Sequence, residues 1–218
     1  MALKKTNTKD VEMHHVFALI VGEWGAGKTF AIGTLPEKET VILSAESGLL
    51  TLNDKSFEVW QIESVEDLVE AYQDLKKGTE FKNICVDSLT EITEICFKSL
   101  KPKFNKSQTF AMYQEHFDRI VDIIKAFRDL IKYNTFVTCL LKEKDNGELL
   151  DVGHQGLGGK LPTYFDFCLP IRVFEKDGKI TRAIVTDHAI DKMAKSRSNK
   201  LEQYEKVDLT AIINKVMG

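Results

Sequence analysis

Residues 22 to 29 read Gly-Glu-Trp-Gly-Ala-Gly-Lys-Thr, and their types and spacing suit one chemistry above others, the capture of a polyphosphate. Glycines let the backbone curl until successive N–H groups point inward at anionic oxygens. A helix that follows presents its positive end to the same anion. In such a loop Lys28 reaches the β- and γ-phosphates and Thr29 ligates Mg²⁺. Gly22, Glu23, Trp24, Gly25, Ala26, Gly27, Lys28, Thr29 and Phe30 therefore form a candidate ATP site. The competing reading is a glycine-rich surface turn beside a lysine. It does not account for the apolar run before the motif or the helical pattern after it.

A second acidic element stands at residues 83–88, Asn-Ile-Cys-Val-Asp-Ser. A buried strand ending in a carboxylate delivers that charge to the edge of a sheet where ligands of open α/β folds bind. Asp87 there either holds Mg²⁺ through its water shell, completing the site begun by Thr29, or caps the next helix. The phosphate loop upstream favours the metal role. Ser88 has no base partner in sequence, and the start of a helix explains it. His14 and His15 lack Cys or His partners at ligand spacing and read as part of an N-terminal tail.

Lys98, Lys101, Lys103, Phe104, Lys106 and Phe110 combine positive charge with aromatic faces, a combination that tracks a single-stranded backbone and stacks its bases. Lys142, Lys144, His154 and Gln155 add donors from a later segment. The alternative is a solvated basic helix end, with Phe110 opening a buried stripe.

These residues need elements to hold them. Residues 16–21 are a continuous apolar run, read as a strand buried on both faces, and a helix runs from Lys28 to before Pro36. Residues 40–43, 57–62, 84–86 and 135–141 read as further strands. Ser64 caps a helix that Gly78 stops, and another helix reaches about Leu100. Phe110, Tyr113, Phe117, Ile120, Val121, Ile124, Phe127, Leu130 and Ile131 trace one face of a long helix. Residues 142–159 are polar and glycine-bearing, too long for a mere connector. Residues 167–174 and 179–185 flank Asp177-Gly178, a hairpin signal, and residues 208–217 form a short amphipathic helix. Strands alternating with helices predict an α/β fold with a mainly parallel central sheet flanked by helices and an antiparallel hairpin near its C-terminal edge. The expected division is a tail over 1–14, a core over 15–200, and a C-terminal tail with a short helix over 201–218.

At 218 residues, 43% hydrophobic and 29% charged, the chain has the composition of a soluble globular domain with one sizeable core. A net charge of −3 gives no general basic field, so any nucleic-acid contact must come from local patches. Four scattered cysteines without a Cys-x-x-Cys pair fit a reduced compartment. No apolar run approaches ~18 residues and no signal-peptide pattern opens the chain, so a cytoplasmic protein with no membrane partner is expected.

The segment Leu43-Ser44-Ala45-Glu46-Ser47-Gly48-Leu49, a strand followed by a small residue, Ala and Glu, resembles the RecA family. That resemblance implies a catalytic pair, Lys28 on the phosphates and Glu46 polarising the attacking water. On the residues alone Glu46 also reads as a solvated glutamate at the start of a loop. Further features keep the family's order. Lys142 follows a strand where the family usually places a γ-phosphate sensor, often glutamine; a lysine there reads equally as a snorkelling surface residue. Residues 142–159, ending in Gly158-Gly159, resemble its mobile DNA-binding loop. Gly-Gly-Lys-Leu-Pro followed by Phe165-Asp166-Phe167 looks like compact phage ATPases of this kind, including single-strand annealing proteins.

Lys195 and Arg197 stand where the family carries cations that reach a neighbouring subunit's ATP, or else belong to a solvated basic tail. The resemblance thus implies an ATP- and Mg²⁺-dependent ATPase acting on single-stranded DNA as a homo-oligomeric ring or filament, with a single-strand-binding protein as a further partner. A nucleotide or small-molecule kinase, and a nucleotide switch with little hydrolysis, stand as alternatives.

Overall fold

The structure is a computed structural model that describes residues 7, 12–46, 48–144, 147–153 and 155–218. Its centre is a sheet whose strands run in the order β10-β8-β7-β1-β5-β4-β2-β3. The strands are β1 (Phe17–Gly22), β2 (Thr40–Ser44), β3 (Glu58–Gln61), β4 (Asn83–Asp87), β5 (Asn134–Lys144), β6 (Gly147–Leu150), β7 (Phe167–Lys176), β8 (Lys179–Val185), β9 (Lys195–Ser196) and β10 (Tyr204–Glu205). β7, β1, β5, β4, β2 and β3 are mutually parallel, as the alternation of strand and helix predicts. β8 turns back on β7, and β10 pairs antiparallel with β8 at the sheet's edge.

The apolar strands bury both faces. Phe17, Leu19 and Val21 of β1 point to one side, where they meet α2 (Val65–Lys77), α3 (Leu89–Leu100) and α4 (Thr109–Arg128). Ala18 and Ile20 point to the other, against α1 (Lys28–Ile32) and α6 (Leu209–Met217). The result is three layers. Helix ends follow local chemistry: Ser64 and Asp67 form a reciprocal capping box on α2, and Asp208 accepts from Ala211 N–H at 2.9 Å to start α6. Residues 201–218, set apart from the core by the sequence reading, bury Leu209, Ile212 and Val216 in the second layer. Thr34 fixes their position, its hydroxyl accepting from Leu209 N–H at 2.8 Å.

Two sequence expectations need correction. The long helix ends at Arg128, short of the Leu130 and Ile131 that the spacing assigned to it, and its apolar stripe is shorter than the spacing suggested. Phe110 is 84% and Ile131 58% exposed, whereas Ile120, Val121, Ile124 and Phe127 are buried. Local periodicity continued past the point where packing against the sheet ends.

The second correction concerns residues 142–159, which are not a plain loop. β5 runs on to Lys144, β6 folds back on it antiparallel, and α5 (Gln155–Lys160) follows. Gly158 is required there, because a Cβ would come within 2.8 Å of Leu150 O as α5 lies on β6. Arg172 of β7 pins this hairpin, pairing with Glu148 of β6 and donating to Asp191 Oδ2 at 2.5 Å.

Candidate nucleotide site

β1, β5, β4 and β2 lie side by side and parallel, so their C-terminal ends open on one edge of the sheet. The loop after β1, the carboxylate ending β4 and the turn after β2 meet there, at the kind of edge where open α/β sheets bind ligands. A cavity of about 930 Å³ occupies the meeting point, bounded by Lys28, Thr29, Glu46, Asp87, Glu91 and Arg182 among others.

The loop has the curl that its glycines predict. Gly25 and Gly27 adopt φ of 73° and 107°, values that L side chains disfavour. Lys28 folds back over the loop, its Nζ donating to Gly22 O and Glu23 O, each at 3.0 Å. Burial lowers the Lys28 pKa, against the opposing pull of Asp87, Cys139 and Glu46. Trp24 and Phe30 stand at the cavity's rim, 87% and 55% exposed.

Asp87 is almost wholly buried and both its oxygens are engaged. Thr138 Oγ1 donates to Oδ1 at 2.5 Å and Thr29 Oγ1 to Oδ2 at 3.2 Å. Burial is the main influence on its carboxyl and pushes the pKa up; the Thr138 hydrogen bond pulls the other way. The Asp87–Ser88 peptide is cis. Ser88 has two partners: its hydroxyl donates to Glu46 Oε1 and accepts from Glu91 N–H at 3.5 Å, at the start of α3. The turn carrying Glu46 is itself tied down by Ser44 Oγ, which donates to Glu46 O at 2.8 Å.

The residues fit a magnesium ion. Thr29 Oγ1 and Asp87 Oδ2 are hard oxygens at hydrogen-bond distance beside the loop, and Asp87 is a carboxylate whose desolvation a divalent cation would offset. Among the described residues no group of three or more His, Cys, Asp or Glu side chains could hold a metal by itself. Phosphate oxygens and water would complete the ion's shell, as is usual for Mg²⁺.

The structure brings together Gly22 to Phe30, Glu46 and Asp87 and leaves the other sequence candidates elsewhere. Lys142 is exposed and pairs with Asp151 at 3.2 Å; Leu140, two residues earlier, lines the cavity instead. Lys195 and Arg197 border a second cavity of about 1050 Å³. Lys195 Nζ donates to Pro162 O, Thr163 O and Phe165 O, while Arg197 pairs with Asp166 at 2.6 Å. Lys101, Lys103 and Lys106 are exposed on two short 3-10 turns between α3 and α4, with Phe104 half-buried among them. Lys144 is exposed at the end of β5. His154 lies outside the described residues, and Gln155 is described only as the first residue of α5. All four cysteines are buried and free, and burial pushes the Cys139 thiol up to about 12.

Three site residues escaped the sequence reading. Thr138 leaves a trace, a hydroxyl in the apolar run Phe136-Val137-Thr138-Cys139. Ser88 was accounted for by the start of a helix, which hid its second role. Arg182, on a hairpin strand, carries no local signal.

Loop, buried carboxylate and parallel sheet together define a P-loop nucleotide-binding protein of RecA-like fold. A family model described as an AAA domain matches residues 15–198, and the chain belongs to that family. It is also similar to the crystal structure of a KaiC-like protein from the hyperthermophilic archaeon Pyrococcus horikoshii OT3, with a TM-score of 0.51 and 13% identity, covering 85% of this chain and 81% of that one. At that identity the likeness concerns the fold. No curated protein matches the sequence significantly. Among the described residues no helix is long and apolar enough to cross a membrane.

Proposed function

We propose that this chain is a Mg²⁺-dependent ATPase that works on single-stranded DNA as a homo-oligomer, in recombination or strand annealing of the phage type. The observation that carries the ATPase reading is the convergence of Lys28, Thr29, Asp87 and Glu46 on one cavity from three separate strand ends. Loop N–H groups and Lys28 would hold the β- and γ-phosphates, and Thr29 with Asp87 would hold magnesium, which would supply neutralising charge to the phosphates. Glu46, oriented by Ser88, holds water in line with the γ-phosphorus and accepts its proton as the new P–O bond forms. The bond to the bridging oxygen breaks and ADP leaves with that electron pair.

Support for the DNA reading comes from the surroundings of His116. Its Nε2 lies 2.8 Å from Thr93 O, the Phe97 ring meets it edge-on at 5.3 Å, and Gly153 packs beside it. Lys101 Nζ lies 5.3 Å from the centre of the Phe97 ring. The buried His116 thus has the Phe97–Lys101 pair on one side and Gly153 on another, which supports placing the basic segment near the turn that follows the β5–β6 hairpin. Assembly would set Arg197, the more exposed of the two tail cations, towards a neighbouring copy's nucleotide.

The test is ATP turnover and particle size of the wild type, Lys28→Ala and Lys101→Ala/Lys103→Ala/Lys106→Ala, with and without single-stranded DNA at two salt concentrations. Lys28→Ala should lose turnover; the triple variant should keep basal turnover and lose the DNA response, which should itself weaken steeply with salt. No turnover by the wild type would defeat the ATPase reading, and indifference to DNA at low salt would defeat the DNA reading.

A further inference from the structure

Arg182 is the cation of the cavity that the proposed hydrolysis does not use. It sits on β8, facing the same side of the hairpin as Ile184, which is buried against α1 and α6. Its side chain lies against the phosphate loop at Gly27: a Cβ built there would lie 3.4 Å from Arg182 Cδ, 3.8 Å from Arg182 Nε and 4.0 Å from Phe30 Cβ. Arg182 forms no ion pair or hydrogen bond with the described residues, unlike Arg172 on the neighbouring strand, which is held by two carboxylates. It is a cation aimed at the loop with its donors uncommitted.

Its direction of approach decides which part of a nucleotide it meets. β1 has β5 on one side and β7 on the other, with β8 beyond β7. Asp87, Glu46 and Ser88 come from the β5–β4–β2 side and mark where the terminal phosphate and the attacking water belong. Arg182 comes from the opposite side, beside Phe30, the residue after Thr29. A triphosphate is a linear chain. If its γ end lies by Glu46, its α-phosphate and nucleoside must leave the loop past Phe30 and Arg182.

We infer that Arg182 grips the α-phosphate at the nucleoside end of a bound nucleoside di- or triphosphate, with the exposed Phe30 ring beside it as an apolar wall for the nucleoside. A guanidinium suits this place because its planar fork gives paired N–H donors to phosphate oxygens and its face stacks on flat rings. Arg182 is thus a binding residue acting in its own subunit, separate from any cation that a neighbouring copy supplies to the transferring phosphoryl group.

This inference rests on the nucleotide reading of the cavity, and the experiment separates the two. Binding of ATP and of ADP is measured by calorimetry for the wild type, Arg182→Ala, Arg182→Gln and Arg182→Lys, with kcat at saturating ATP for each. Both nucleotides carry the α-phosphate, so Arg182→Ala and Arg182→Gln should weaken ATP and ADP alike, by about 10- to 100-fold, and leave kcat within about twofold. Arg182→Lys should recover part of the loss. The inference is overturned if ATP weakens while ADP does not, or if kcat collapses at unchanged affinity, since either result puts the guanidinium at the γ end. Unchanged binding in every variant overturns it as well. A wild type that binds neither nucleotide defeats the cavity's nucleotide reading first, and this inference with it. Arg182→Gln keeps the Cβ–Cδ stem and a polar end without the charge, which guards against a misfolded alanine variant.

Discussion

Ser88 donates a hydrogen bond to Glu46 Oε1 across 42 residues of sequence, and through it the carboxylate proposed to handle water is held from the strand end that carries Asp87. The two halves of the proposed chemistry, metal and water, therefore share one rigid corner of the sheet. A glutamate on a free turn would spend most of its time in other rotamers; one held by a hydroxyl at the start of a helix does not.

Glu46→Gln should bind ATP as tightly as the wild type and lose turnover by at least about 100-fold, because an amide cannot take the proton from water. Ser88→Ala should keep nucleotide affinity and reduce kcat by about 10-fold, because Glu46 loses its orienting partner. Steady-state kinetics beside equilibrium binding checks both. Wild-type kcat in Ser88→Ala would show that the hydrogen bond has no part in turnover.

Asp87 makes a prediction about stability without ligand. Burial raises its carboxyl above the ordinary range, so the folded chain binds this proton more readily than the unfolded chain. The resulting stabilisation is complete below the unfolded value, about 4, and is lost as pH rises through the higher folded value. At neutral pH the ionised group thus costs the nucleotide-free fold stability. Asp87→Asn should raise its Tm at pH 7.5, and the gain should shrink as pH falls towards about 4. Thermal melts over a pH series check this; a lower Tm at pH 7.5 refutes it.

Thr138 contributes the strongest visible restraint on that carboxylate, a 2.5 Å hydrogen bond that draws the Asp87 pKa down. Thr138→Val keeps the shape and removes the donor, leaving a buried acceptor unpaired at a cost of about 1–3 kcal/mol. The variant should melt lower than the wild type, and the acid limb of its turnover profile should move to higher pH. An unmoved acid limb would mean that Asp87 ionisation does not govern turnover there.

Arg172 holds the β5–β6 hairpin to β7 through Glu148 and Asp191. Arg172→Ala leaves the partly exposed Glu148 and the nearly buried Asp191 without their cation, a loss of about 2 kcal/mol, between the values for surface and buried pairs. The Tm should fall by roughly 4–8 °C, and amide exchange should speed up across Gly147–Leu150 before it does in β1. Uniform exchange in both strands would show that the pair does not anchor the hairpin.

The phosphate loop was legible in residues 22 to 29 because its function depends on local backbone shape, which glycine spacing encodes directly. The parallel strands were legible for a similar reason: a strand buried on both faces is apolar almost throughout, as residues 16–21 and 84–86 are, and as residues 135–141 are apart from Thr135 and Thr138. Asp87 was visible as the polar residue that ends such a run. Helix ends marked by Ser64 and Gly78 were visible because capping is settled within a few residues.

Other features depended on strand order. β5 lies between β1 and β4, which sets Thr138 beside Asp87; nothing near residue 138 announces that neighbour. Arg182 meets Gly27 because β8 returns along β7, itself placed next to β1 by pairing across the whole chain. Residues 142–159 read as a loop because the pairing that makes them a hairpin and a helix is secured by Arg172 and by close packing at Gly158. The sequence alone determined what is decided over a few residues, namely the loop's curl, the burial of each strand and the caps. Which side chains meet at the site was decided by the tertiary structure, because hydrogen bonds and ion pairs form between residues that only the order of strands in the sheet brings within 3 Å or so of one another.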